Sequence, residues 1–299
     1  MRGRWLAAVA VAGTAAVLLG GCGLPNGVDG KLPDDWAVLA PPEGWQPEAG
    51  TCHTVYQETI SREAYTPVAC TESHKVETVH VGTFTGDDAN RSDAPPPESP
   101  GMRAAYADCE GKAKEFLGED WRNGRLWLEL ALPSAAGWLG GARWYRCELW
   151  EINDIDKEDS TRVSRTASLR DALRGQRPLG YGCYTVTLKN DDIDKMVPIA
   201  CNKAHQAEFA GVFLGKDTPY PTDDADRSKA FAPGCVSVIA RFAGVPDDGN
   251  TKYRFGYIWQ SFGEDEWLRG NRGVRCYFYL SKNVTRSMRG AGPKVLPIR

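Results

Sequence analysis

The chain has 299 residues, of which 42% are hydrophobic and 25% charged, and its formal net charge is −3. This composition is typical of a globular protein. The mildly acidic balance argues against nucleic acid as a partner, because nucleic-acid-binding proteins carry a clustered excess of lysine and arginine.

An export signal is predicted at residues 1–21. Arg2 and Arg4 precede an uncharged apolar run over residues 5–19, as in the charged and hydrophobic regions of a secretory signal. The run is shorter than the roughly 20 apolar residues that span a bilayer. It ends in Leu19-Gly20-Gly21-Cys22, which resembles the lipobox of bacterial lipoproteins. An ordinary signal peptide followed by a chance cysteine is the alternative.

Cys22 is the predicted lipidation site. A diacylated cysteine carries two lipid chains, which attach a protein to a membrane almost permanently. Cleavage before Cys22 leaves 34 basic and 39 acidic residues, a formal charge of −5. Residues 22–47 contain five prolines among glycines and acids, a composition typical of an extended tether. The expected location is therefore the extracytoplasmic face of the cell membrane.

An internal repeat organises the rest of the chain. The eight remaining cysteines form two sets of four, with gaps of 18, 39 and 38 residues in the first set and 18, 34 and 41 in the second. We interpret this as a tandem duplication. It predicts one domain over residues 48–152 and another over 178–285. Three blocks agree around the cysteines: Pro67-Val-Ala-Cys70 with His74 and Glu77 matches Pro198-Ile-Ala-Cys201 with His205 and Glu208; Cys109, Phe116 and Gly118 match Cys235, Phe242 and Gly244; Trp138-Leu139-x-Gly141-x-Arg143-x-x-Arg146-Cys147 matches Trp267-Leu268-x-Gly270-x-Arg272-x-x-Arg275-Cys276.

Two further segments lie outside the repeats. The linker, residues 153–177, is densely charged, and its residues 161–174 favour a short solvated helix that ends at Gly175. The tail, residues 286–299, carries four basic residues and no acid. We expect this tail to be loosely ordered, as chain ends commonly are.

Each repeat is predicted to be a small α+β domain, an antiparallel sheet with one main helix. Two β-prone runs around a polar loop form a hairpin, and a third strand, a helix, a strand with buried aromatic residues and a final Arg-Cys strand follow. The expected third strands are residues 76–84 and 207–214, and the expected helices are residues 104–117 and 230–243, closing on Gly118 and Gly244.

This order of elements favours one disulfide pairing. A hairpin brings the first cysteine beside the second, and the helical cysteine then bonds to the last strand. Four cysteines in one domain allow three pairings, so the alternatives stay open. Closing a loop of nearly 20 residues should stabilise each domain by roughly 3 kcal/mol. The expected bonds are Cys52–Cys70, Cys109–Cys147, Cys183–Cys201 and Cys235–Cys276.

The most obvious candidates for chemistry are His74 with Glu77 and His205 with Glu208. A histidine with a carboxylate three residues later can bind zinc, or can act as an acid with its orienting partner. A metal site normally needs three protein ligands, and the neighbouring cysteine is expected to be oxidised. We therefore favour a structural role for these residues and expect no metal and no cofactor.

The tryptophan blocks offer a second candidate site. Trp138 with Arg143, and Trp267 with Arg272, can form a platform for a sugar ring or a carboxylate. A tryptophan that closes a small core beneath a stacked arginine is the favoured alternative. The sequence contains no Gly-rich phosphate loop, Cys-x-x-Cys pair or serine nucleophile elbow.

Together these residues resemble the septum formation domain, a family found mostly in actinobacterial membrane proteins and lipoproteins. The resemblance rests on Gly50-Thr-Cys52, on the Cys-x-x-x-His-x-x-Glu block, on the late tryptophan block and on Tyr220-Pro221. It covers about 210 residues in both repeats. It implies an envelope protein associated with septum formation, with no catalytic residues to transfer.

The resulting hypothesis is a non-enzymatic, lipid-anchored binding or scaffold protein of the cell envelope. Tandem domains raise the effective concentration for a repeated ligand. The expected partners are the membrane, through the lipid, and either a cell-wall glycan or another envelope or division protein. The alternative is a cell-wall or metal-dependent hydrolase that uses the repeated histidine and glutamate. A structural spacer is a third interpretation.

Overall fold

The computed structural model describes residues 44–153, 161–189 and 192–298. The predicted signal peptide, the lipidation site Cys22 and the tether up to residue 43 lie outside these ranges. Glu43–Arg299 forms one compact unit. Within the described ranges, no helix has both the length and the apolar character that crossing a bilayer requires.

The first half, residues 44–177, builds a five-stranded sheet, sheet 1, and one long helix. The hydroxyl of Ser99 caps that helix by accepting from the Met102 amide (3.1 Å), and Gly118 ends it in the left-handed conformation (φ 89°). Sheet 1 has the strand order β1-β3-β5-β4-β2. The elements are β1 (Thr51–His53), β2 (Thr59–Ile60), β3 (Val76–Thr83), β4 (Leu126–Pro133), β5 (Trp144–Glu151), α1 (Gly86–Ala89), α2 (Pro100–Leu117) and α3 (Ala135–Leu139).

The second half, residues 178–298, builds sheet 2 and a second long helix. Asp223 caps this helix by accepting from the Asp226 amide, and Gly244 ends it (φ 68°). The strand order of sheet 2 is β7-β6-β8-β10-β9. The elements are β6 (Cys183–Lys189), β7 (Asp192–Ile199), β8 (His205–Leu214), β9 (Gly256–Ser261), β10 (Gly273–Val284), α4 (Asp224–Ala243) and α5 (Glu264–Arg269).

Four strands of each sheet follow the same order, β1-β3-β5-β4 in sheet 1 and β6-β8-β10-β9 in sheet 2, but the fifth strand differs. In sheet 2, β7 pairs with β6 as the predicted hairpin. In sheet 1 the predicted hairpin is wrong, because only Val68 bridges Cys52 and the chain crosses to the opposite edge, where β2 pairs in parallel with β4. Residues 54–67, which we name the strap, bury Ile60 (4% exposed) against Trp144. Burial of this apolar residue favours the crossing over a solvated hairpin.

The front face of each sheet carries its long helix, and the hydrophobic core lies between them. The α2 helix packs on sheet 1 and α4 on sheet 2. All four expected disulfides are present, and each joins Cα atoms 5.2 Å apart: Cys52–Cys70, Cys109–Cys147, Cys183–Cys201 and Cys235–Cys276. Two of them fasten a helix to a central strand, where a cross-link of this span contributes about 3–4 kcal/mol.

The predicted linker helix over residues 161–174 is wrong. Arg162 bridges Ile152, and Arg165 bridges His74, so this stretch extends the sheet instead. Leu169 (1% exposed) and Leu173 (2%) then enter the core of the first half. Burial of these two leucines contributes more free energy than a solvated helix of the charged residues around them would. The segment therefore packs on the core and does not form the predicted helix.

The predicted loose tail is wrong as well. Met288 and Leu296 are each 2% exposed and belong to the core of the second half. The Gly290 amide donates to the carbonyl of Phe242 at 2.8 Å, near the end of α4. At the other end of the folded unit, Trp45 packs edge-on against Trp144, so packing begins inside the segment expected to be tether.

Candidate functional site

The repeated histidine and glutamate of the second half hold the tail. His205 and Glu208 lie on β8 and are 0% and 3% exposed. Glu208 Oε1 is 3.0 Å from His205 Nε2, and the carboxylate also accepts from the Ser287 hydroxyl (2.6 Å) and the Met288 amide (2.7 Å). His205 Nδ1 lies 2.7 Å from the carbonyl of Lys203. The pair therefore connects the start of β8 to the tail.

In the first half, the equivalent glutamate holds the linker by hydrogen bonds in the same way. The Glu77 carboxylate accepts from the Ser168 hydroxyl and from the Leu169 amide, both at 2.7 Å. His74 Nδ1 lies 2.8 Å from the carbonyl of Glu72, whereas its Nε2 has no hydrogen-bond partner among the described residues. Each glutamate thus holds a serine-apolar-arginine segment. The matching sequences, Ser168-Leu169-Arg170 and Ser287-Met288-Arg289, are a sign of the repeat that the cysteine comparison missed.

These clusters do not fit a metal ion. Cys183, His205 and Glu208 place one possible ligand atom each within 4.8 Å of one another, as do Cys52, Cys70 and Glu77. The sulfurs are bonded in disulfides, however, and metal binding needs the thiolate. Both oxygens of each glutamate already accept a hydrogen bond from the same chain, which supports the structural interpretation.

The two tryptophan blocks also face inward. Trp138 is 1% exposed and donates from Nε1 to the carbonyl of Arg91, while the guanidinium of Arg143 covers its ring at 4.3 Å. Trp267 is 3% exposed, donates to the carbonyl of Thr218 and lies under Arg272 at 4.6 Å. Because each ring is covered by its own arginine, neither offers an open face to a sugar.

An open cleft lies on the face of sheet 1 that is opposite to α2, which we name the rear face. Its volume is about 540 Å³, within the range of small-molecule sites. Arg162 lies over the ring of Trp150 at 4.3 Å and 5.1 Å from the ring of Tyr56. The remaining lining residues are Thr54, Val55, Lys75, Trp127, Glu129, Ile152 and Thr161.

Beside the cleft the rear face buries a polar cluster under the strap. His53 Nε2 lies 3.0 Å from the Thr78 hydroxyl, which donates to Glu148 Oε1 at 2.9 Å. Arg146 Nε is 3.1 Å from the same carboxylate oxygen. Burial, followed by the Arg146 charge, lowers the pKa of His53 to about 4, and burial raises the pKa of Glu148. His53, the most exposed of the four, is 6% exposed, so the cluster is sealed from solvent.

The family model described as Septum formation matches residues 49–276. This span covers most of the chain, including both cysteine sets, all of sheet 1 and sheet 2 as far as Cys276 in β10. The chain belongs to the Septum formation family. No curated protein and no solved structure matches it.

The two halves of this Septum formation protein differ on the rear face. Strand registers place Tyr184, Phe209 and Tyr277 where the first half has His53, Thr78 and Glu148. Those three aromatic rings pack with centroids 5.5 and 5.8 Å apart. The same strand arrangement therefore forms without the polar cluster, which the fold does not require.

The cleft is also confined to the first half. Gly256, Ile258 and Tyr279 occupy the strand positions of Trp127, Glu129 and Trp150. A Cβ atom on Gly256 would lie 2.9 Å from the ring of Tyr279, so that ring fills the space. A position-by-position comparison of the two repeats would have found these residues in the sequence, whereas a search for shared residues passes over them.

A buried charge network joins the halves beneath the cleft. Arg269 of α5 reaches Glu129 Oε1 at 2.7 Å and Glu266 Oε1 at 3.3 Å. Arg122 Nε donates to the Asn271 side chain at 2.8 Å. Burial, followed by the nearby Glu129 charge, raises the pKa of Glu266 to about 7, and burial also raises the pKa of Glu129. The second half thus helps to position a residue of the cleft.

The raised pKa of Glu266 predicts a pH-dependent stability. Its ordinary value is 4.5, so the folded chain holds this proton more tightly than the unfolded chain does. The stabilisation from the neutral acid is complete below pH 4.5 and is lost as the pH rises through 7. We expect Glu266→Gln to raise the free energy of unfolding by about 2 kcal/mol at pH 8 and to change it little at pH 4.5.

Denaturant unfolding at both pH values checks this expectation. Glu264→Gln, an exposed change on the same helix, serves as the control and should leave the free energy of unfolding within about 0.5 kcal/mol of the parent. Equal effects of Glu266→Gln at pH 8 and pH 4.5 would contradict the assigned titration.

Proposed function

We propose that this protein is a non-enzymatic, lipid-anchored protein of the extracytoplasmic membrane face that binds another envelope component during septum formation. Its family carries the association with septum formation. The sequence from Arg2 to Cys22 supports export and lipidation. The observation that carries the binding function is the rear-face cleft, which the first half keeps open although the fold forms without it.

We also propose that the two halves are homologous domains that arose by duplication in an actinobacterial lipoprotein. The four equivalent strands of each sheet, the matching disulfides and the two segments bound by Glu77 and Glu208 support this. After duplication, one copy can lose a ligand cleft and serve as a support while the other keeps it. Arg269, which holds Glu129 from the second half, is such a support.

The hydrolase alternative has less support. A general acid or base must reach its substrate, but His74 and His205 are 1% and 0% exposed and contact their own backbone. The adjacent cysteines are oxidised and provide no thiolate. We therefore expect a His74→Ala, His205→Ala double variant to lose stability without the loss of any wall-degrading activity.

The proposal is tested with the full chain in cells and on isolated walls. A tagged wild-type copy should fractionate with membranes and accumulate at septa, and Cys22→Ala should leave the membrane fraction. The detergent-solubilised wild-type protein should sediment with isolated cell walls or retain a division protein after cross-linking. Even distribution over the cell surface together with no retention by walls or envelope proteins would refute the proposal.

A further inference from the structure

Arg162 is held in a fixed orientation at the cleft. Its guanidinium is stacked over Trp150 and adjoins the ring of Tyr56, and these two rings are themselves 5.0 Å apart. Stacking restricts a planar guanidinium without using its N–H donors. Among the described residues these donors form no hydrogen bond, so they can bind an anion with little further loss of side-chain entropy.

In the described part of the chain Arg162 forms no ion pair and its buried Nε has no hydrogen-bond partner, although the Glu129 carboxylate is near enough to favour its charge. The nearby Arg165 differs, since it pairs with Glu151 at 2.9 Å. Lys75, exposed at the same cleft, likewise has no ion pair among the described residues. Among the described residues, neither of these two cations at the cleft therefore has an ion-pair partner.

Glu129 is the acidic side chain of the cleft lining, but it is already engaged. Arg269 holds its Oε1 at 2.7 Å, and Trp127 Nε1 lies 3.5 Å from its Oε2. Burial raises its pKa, while the Arg269 charge acts in the opposite direction. The open side of the cleft therefore favours a negatively charged ligand.

We propose that the cleft binds an anionic saccharide, with Arg162 and Lys75 on its carboxylate or phosphate and the partly exposed Trp127 against a sugar ring. An arginine fork matches both oxyanions by paired hydrogen bonds. Flat indole surfaces suit a sugar ring, and the hydroxyls of Thr54 and Thr161 line the same cleft. This assignment rests on the proposed binding function and names the ligand class for it.

Titration of the mature full chain with defined oligosaccharides tests the assignment. The probes are a neutral chitotetraose, an oligosaccharide of equal length with lactyl ether carboxylates, one with phosphate groups, and a tetraglutamate peptide. We expect one of the two anionic saccharides to bind about tenfold or more tightly than chitotetraose, because hydrogen bonds to charged groups are the strong ones. Which of the two binds identifies the oxyanion.

Arg162→Gln should remove this preference while the melting temperature stays near that of the parent. Arg170→Gln is the matched control, because Arg170 also stacks on a ring, that of Phe116 at 4.5 Å, but lies outside the cleft. Equal binding of neutral and anionic saccharides, tighter binding of the peptide, no binding of any probe, or an unchanged preference in Arg162→Gln would each overturn the assignment. Retention of Arg162→Gln by cell walls at wild-type levels would overturn it too, and would leave the proposed envelope-binding function standing.

Discussion

Arg269→Ala is expected to lower the free energy of unfolding at pH 7.5 by about 3–5 kcal/mol, since removal of one member of a buried ion pair leaves its partner uncompensated. Arg269 lies between Glu129 (13% exposed) and Glu266 (6% exposed). Without the guanidinium, two carboxylates remain close together in a medium of low dielectric. Guanidinium chloride unfolding with the disulfides intact measures the loss.

The pH dependence of this loss separates the electrostatic explanation from simple loss of packing. Because the pKa values of Glu129 and Glu266 are both raised, acidification neutralises the orphaned pair, and the destabilisation should shrink toward pH 5. Lys229→Ala removes an exposed ion pair to Asp226 and should leave the free energy of unfolding nearly unchanged at both pH values. A loss from Arg269→Ala that is as large at pH 5 as at pH 7.5 would assign the effect to packing instead.

The sequence predicts the parts of this fold that depend on local pattern. Glycines at 118 and 244 end the long helices as expected, and the helix-to-strand bonds Cys109–Cys147 and Cys235–Cys276 follow from the order of the elements. The strap could not be predicted in the same way. Its crossing of sheet 1 is decided by the burial of Ile60 against a distant strand, a tertiary contact that local propensity does not contain.

The linker and the tail show a second reason why the sequence did not predict parts of the structure. Their charge density is typical of solvated chain, and composition alone therefore predicts exposure. Each segment nevertheless contains a few apolar residues, such as Leu169 and Met288, that are buried in a core. The backbone amides of these two residues donate to a glutamate that lies 92 and 80 residues earlier, respectively. The sequence pattern pairs Glu77 and Glu208 only with His74 and His205, because the segments that the two glutamates hold lie outside the repeat as the cysteines define it.

Residues of the candidate cleft were missed for a related reason. Comparing the two repeats identifies the residues that they share, and in this protein the shared residues maintain the fold. Residues that differ between the repeats are not identified in this way. The second half has Gly256 and Tyr279 at the positions of Trp127 and Trp150, so these two tryptophans fall outside every shared block. Arg162 lies in the linker, outside both repeats. Their proximity depends on the sheet register and on the bridge of Arg162 to Ile152, neither of which the sequence states directly.

Glu208→Ala is expected to lower the free energy of unfolding by about 2–4 kcal/mol, because it leaves buried donors of Ser287 and Met288 without an acceptor. The Met288 amide should become accessible to hydrogen exchange, and mass spectrometry of exchange in the tail measures this. Glu208→Gln keeps one acceptor oxygen and should cost less than the alanine change.

The matching change in the first half distinguishes a structural clamp from a catalytic pair. Glu77→Ala removes the acceptor of Ser168 and Leu169, so exchange should rise in the linker and not in the tail. A clamp predicts that each variant loosens only its own segment, since the two carboxylates contact different parts of the chain. Hydrogen exchange that is unchanged in both segments of the two variants, together with the loss of a measurable hydrolytic activity, would contradict the clamp. It would indicate a catalytic role for the two glutamates.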